Sequence, residues 1–83
     1  MSPNDWAELL RYSSPYSILV VKGRAEIFEL KCPFKVELKH NVGTLIMGSI
    51  HLVEMVKLST QMVTVFIIEE DAYYYHHFNI LIP

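Results

Sequence analysis

The chain alternates short apolar runs with turn-forming residues at close intervals, and its clearest periodic segment is Phe34, Val36 and Leu38 set against Lys35, Glu37 and Lys39. Period-two alternation of this kind marks a strand with one buried and one solvated face. From Tyr16 onward alanine occurs only at Ala25 and Ala72, while Val, Ile, Thr, Tyr and Phe dominate. That population suits a pleated surface, so this part is expected to be mainly β. Before it, Ser2, Pro3 and Asp5 form a helix start: a hydroxyl cap, proline at the first position, and a carboxylate at the positive end of the dipole. Trp6, Leu9 and Leu10 follow at i, i+3 and i+4. The spacing predicts a short helix over residues 3–12, ended by Ser13, Ser14 and Pro15, which must dock its apolar stripe to persist.

Ile18 to Val21 and Ala25 to Leu30 flank Lys22, Gly23 and Arg24, predicting a β-hairpin over residues 16–31. Ile18, Val21, Ala25 and Phe28 also fit helical spacing, so a helix over Tyr16 to Leu30 is the alternative. Cys32 and Pro33 interrupt the ladder, because proline has no N–H to donate. After the Phe34 strand, His40 to Gly43 form a turn, and Thr44 to Leu58 read as one long strand bent at Gly48. Ile50, Leu52, Val56 and Leu58 share a phase with Glu54, so strict register would bury a carboxylate. A bulge near Val53 to Met55 that rotates Glu54 outward is the cheaper arrangement. Met62 to Ile68 is apolar on both faces apart from Thr64. Glu69, Glu70 and Asp71 make an acidic hairpin loop, followed by strands over Ala72 to Phe78 and Asn79 to Ile82.

These 83 residues make one domain, with residues 32–83 forming a barrel-like sheet. Five or more short strands with close turns suggest a small, curved antiparallel sheet closing on itself. The pattern Phe34/Val36/Leu38, Gly43-x-Leu45-x-x-Gly48-x-x-x-x-Val53-x-x-Val56, the Val63 to Ile68 strand, the acidic hairpin and a last aromatic strand resembles an SH3-like barrel. The likeness covers about 50 residues and implies a small mainly β fold; it carries no catalytic residue to transfer. The aromatic pair that peptide-binding members use for proline-rich ligands has no counterpart near the first loop.

Hydrophobic residues make up 52% of the chain and charged residues 19%. The charged share lies below the usual ~25%, leaving a small domain short of polar material to cover itself. A partner or a second copy is therefore expected to cover some apolar surface, and a homodimer is the first expectation. The net charge is −2 with no basic block, which counts against nucleic acid. Lys31, Lys35 and Lys39 read as a solvated face that protects an edge. Cys32 is the sole cysteine and no zinc spacing occurs, which fits a reducing compartment. The longest apolar runs are four residues, such as Ile18 to Val21, and the first residues carry no leader pattern. The expectation is a cytoplasmic chain with no membrane association.

Tyr73-Tyr74-Tyr75-His76-His77-Phe78 places six rings in succession. On a strand Tyr73, Tyr75 and His77 would face one side and Tyr74, His76 and Phe78 the other. With Met62 and Phe66 from the two-faced strand, Tyr73, Tyr74, Tyr75 and His77 compose the expected interaction surface, since tyrosine is enriched where proteins meet. His51, His76 and His77 are the weak metal candidates. Neighbours on a strand point apart, so the expectation is no metal and no cofactor. His40 reads as a turn residue. Cys32 reads as a small buried hydrophobe rather than a nucleophile. No phosphate loop, nucleophile elbow or paired carboxylates set in a pocket appear, so no catalytic residue is named and the chain reads as non-enzymatic. The alternatives are an RNA- or single-strand-binding barrel and a regulatory domain for a small ligand or metal.

Overall fold

The computed structural model describes residues 6–23 and 26–82. Among them nine strands run in chain order: β1 (Trp6–Ser14), β2 (Ser17–Lys22), β3 (Glu26–Lys31), β4 (Phe34–Leu38), β5 (Ile50–Val53), β6 (Met55–Leu58), β7 (Thr64–Ile68), β8 (Asp71–Tyr74) and β9 (Phe78–Leu81). A 3₁₀ turn, Tyr75–His77, separates the last two. One sheet has six strands in the order β3-β2-β1-β9-β4-β5, and the other has three, β6-β7-β8. Every pairing is antiparallel.

The mainly β expectation holds, but the short N-terminal helix does not. Residues 6–12 lie in β1, and the start of the proposed helix, residues 3–5, falls outside the described residues. The helical spacing does not describe the buried face, since Leu10, the i+4 member of the expected stripe, is 48% exposed. β1 pairs with β2 as Glu8↔Val21, Leu9↔Val20, Arg11↔Leu19 and Tyr12↔Ile18, with a register shift between Leu9 and Arg11. Leu10 is the extra residue, so the inward set is Ala7, Leu9 and Tyr12, a step of two and then of three. A ten-residue helix is marginal by itself, whereas β1 gains ladders to β2 and to β9. The expected bent sheet or closed barrel is likewise replaced by two open sheets.

The residue 16–31 region is the hairpin β2–β3, in register from Ser17↔Lys31 to Lys22↔Glu26. Phe34, Val36 and Leu38 are all buried, as their alternation requires. Thr44 to Met47 are not strand. Val42 and Leu45 exchange backbone hydrogen bonds of 3.1 and 2.8 Å, and Asn41 Oδ1 accepts the Met47 N–H at 2.7 Å. Gly48, at φ +87°, completes this compact loop, and its N–H bonds the Leu38 carbonyl at 2.8 Å.

At Glu54 the ladder breaks and the carboxylate faces solvent. Val53 and Val56, three residues apart, are both fully buried, so the break reverses the inward phase. It also moves the chain between sheets: β5 pairs with β4, whereas β6 pairs with β7. The second transfer occurs at Tyr75–His77, which corrects the continuous strand read over Ala72 to Phe78. Tyr74 still pairs with Val65 of β7, but Phe78 pairs with Leu38 of β4, and the 3₁₀ turn carries the chain across.

The core lies between the sheets. Phe66 of β7 is 0% exposed, with Phe34 edge-on at 5.3 Å and Phe78 at 6.0 Å between ring centroids. Ile18, Val20, Val36, Leu38, Val53, Val56 and Ile68 pack around them, with Ala7, Leu30 and Ile80 completing the core. No helix among the described residues is long and apolar enough to cross a membrane.

Candidate interaction surface

The expected aromatic surface does not assemble as one face. Phe66 is its clearest departure, being sealed in the core. Tyr73 is half-buried with its ring edge-on to Phe78 at 6.1 Å. Tyr74 is exposed and stacks on His76 at 5.7 Å with planes 12° apart. Tyr75 is half-buried. Met62 is 72% exposed, but sits in the turn before β7 at φ +65° rather than on a strand face.

The 3₁₀ turn also overturns the expectation that His76 and His77 point apart, since their rings lie 4.4 Å apart. His77 Nδ1 is 2.9 Å from His40 Nε2, and the His77 carbonyl accepts the Lys39 N–H at 2.9 Å. His40 is thus a partner that fastens this turn to the end of β4. Burial holds the His77 imidazole below its ordinary pKa, with His76 and His40 adding like-charge repulsion. His51 is engaged elsewhere. Ser49 Oγ donates to the Ile46 carbonyl, so His51 Nε2 donates to Ser49 Oγ at 2.7 Å. Among the described residues no three His, Cys, Asp or Glu side chains gather as a metal ion requires.

Cys32 is a half-buried free thiol, and burial pushes its pKa up, away from the thiolate that nucleophilic chemistry needs. A cleft of about 610 Å³ opens where β1 and β9 pair at only two positions. Lys39, His76 and Asn79 line it together with Glu8, so no single sign of charge commands it.

The exposed apolar surface concentrates elsewhere. Ile46, Met47, Ile50 and Leu52 are 69, 63, 57 and 49% exposed within seven positions. Ile50 and Leu52 lie on the outer face of β5, opposite buried Val53. The register Lys35↔Leu52 and Glu37↔Ile50 places Lys35 and Glu37 beside them on β4. A shallow groove of about 470 Å³ runs over this face, bounded by Ile50, Leu52, Pro33, Leu81 and Ile82, with Lys31 and Lys35 among its lining residues.

β5 is also an edge strand. The other three edges carry charge: Glu26, Glu29 and Lys31 on β3, Lys57 on β6, and Asp71 on β8. Charged side chains discourage edge-to-edge pairing. Ile50-His51-Leu52-Val53 has neither a Lys, Arg, Asp or Glu nor a proline. The β6 edge is occupied as well, since the Val56 N–H bonds the Pro15 carbonyl at 2.7 Å.

Sequence reasoning missed Ile50 and Leu52 because it placed them in phase with Val56 and Leu58. The signal was present in Glu54: a bulge there means that residues in one phase before it and after it face opposite ways. No family model, curated protein or solved structure matches this chain.

Proposed function

We propose that this chain is a non-enzymatic β module that works by protein–protein contact, and that its contact site is the β5 edge with the adjoining outer face. The carrying observation is the group Ile46, Met47, Ile50 and Leu52, each 49% exposed or more, on and beside the uncharged edge. Together they expose on the order of 450 Å² of mostly apolar surface, the size of the largest patch on a typical small domain, which is often functional. Several other observations support the reading. Phe66 and Tyr73 turn inward, which leaves fewer rings for stacking on bases, and the raised thiol pKa of Cys32 runs against covalent catalysis.

The module self-associates. Analytical ultracentrifugation from low to high micromolar concentration tests this, comparing the wild type with Leu52→Lys. The side chain of Leu52 points outward, so the variant keeps the fold by circular dichroism and shifts the equilibrium to monomer. A wild type that stays monomeric at high micromolar concentration overturns self-association.

A further inference from the structure

We infer that two copies join edge to edge through β5, antiparallel about a two-fold axis at His51, with Ile50 of each copy opposite Leu52 of the other. This rests on the self-association reading and specifies its partner and register.

The backbone hydrogen bonds select the edge groups. Leu38 N–H bonds the Ser49 carbonyl at 3.0 Å, and the Leu38 carbonyl accepts from Gly48. Hydrogen-bonded and non-hydrogen-bonded pairs alternate along an antiparallel ladder. With the register Glu37↔Ile50, Val36↔His51 and Lys35↔Leu52, the His51 pair is bonded to β4. The N–H and C=O groups of Ile50 and Leu52 consequently face away from β4, on an edge where no strand pairs among the described residues.

Two-fold symmetry then narrows the register. Two antiparallel copies of one strand pair side by side with matching faces only if a residue lies opposite itself on the axis. An axis at Ile50 sets Leu52 against Gly48 of the second copy, whose N–H is already bonded to the Leu38 carbonyl. An axis at Leu52 sets Ile50 against Glu54 of the second copy, whose N–H is held by the Ile67 carbonyl at 3.0 Å. Only an axis at His51 pairs Ile50 with Leu52 in both directions, engaging every outward group of the two residues. It also brings the exposed Ile50 and Leu52 side chains of both copies into one apolar row on the outer face. Ile46, Met47, Ile50 and Leu52 together expose on the order of 450 Å² per copy, against the roughly 800 Å² per partner that a standard interface buries.

Two measurements test it. Hydrogen exchange of the otherwise unmodified chain is followed from low to high micromolar concentration. The amides of Ile50 and Leu52 become protected by tenfold or more as the assembly forms, while those on the far edge, β3, do not change. In a Cys32→Ser background, His51→Cys is treated with glutathione disulfide. Residues opposite each other at a non-hydrogen-bonded site approach closely enough for a disulfide. Position 51 therefore gives a covalent dimer, and Ile27→Cys on β3 does not. An assembly that sediments as a dimer without protection at Ile50 and Leu52, or without cross-linking at 51, overturns this register and leaves self-association standing. A chain that is monomeric throughout overturns both.

Discussion

Replacing Phe66 by alanine separates a core residue from a contact residue. Phe66 is fully buried, edge-on to Phe34 at 5.3 Å and tilted against Phe78 at 6.0 Å. Removing the ring forfeits a transfer term of about 2 kcal/mol and leaves a space of up to about 100 Å³. At roughly 24 cal/mol per Å³ that space adds about 2 kcal/mol, for a total of about 4 kcal/mol. A chain of this length is stable by about 4–12 kcal/mol, so the loss is a large fraction of the whole. Urea unfolding of a dilute sample, below the association range, gives the difference directly. Phe66→Leu, which keeps most of the volume, loses about 1–3 kcal/mol and serves where the alanine variant does not fold. A loss under about 1 kcal/mol for Phe66→Ala would refute the placement of this ring at the centre of the packing.

Glu69 and Glu70 both occupy left-handed backbone, at φ 50° and 74°, in the two-residue turn between β7 and β8. Asn-Gly at these positions suits such a turn and raises stability by about 1 kcal/mol, read from the urea midpoint; an unchanged midpoint would contradict the turn geometry. His77 titrates below the ordinary imidazole value of 6.5, so the unfolded chain takes up its proton first. Its contribution is complete above pH 6.5 and declines as pH falls through the lowered folded value. Urea midpoints measured between pH 7.5 and 5 therefore fall more steeply for the wild type than for His77→Gln, and parallel curves would rule the linkage out. The half-buried Cys32 thiol, with its raised pKa, is alkylated by iodoacetamide more slowly in the folded chain than in urea. Equal rates would show it to be open.

The mainly β character, the buried Phe34/Val36/Leu38 face, the β2–β3 hairpin and the acidic turn were legible because each depends on neighbours within a few residues. Alternation, a glycine and a charged pair report local backbone geometry directly. Glu54 was legible for a related reason: a carboxylate in an apolar phase announces a register change wherever the strand goes. The candidate site was less readable. Of the residues expected on the interaction surface, Met62 and Tyr74 are exposed, but Phe66 and Tyr73 pack inward, and the rings from Tyr73 to Phe78 are split by a turn.

Tertiary structure alone decided the remaining features, because each depends on which strands meet. Residues 6–12 are strand because β2 and β9 supply ladders that no local spacing encodes, and the bulge at Leu10 turns that side chain out to solvent. The strand read through the aromatic run ends at Tyr74 because its next partner, β4, belongs to the other sheet. Whether Ile50 and Leu52 face core or solvent turns on the phase reversal at Glu54, and whether β5 is an edge turns on strand order. Periodicity states that a strand has two faces; only its partners determine which face is covered and which edge is left open.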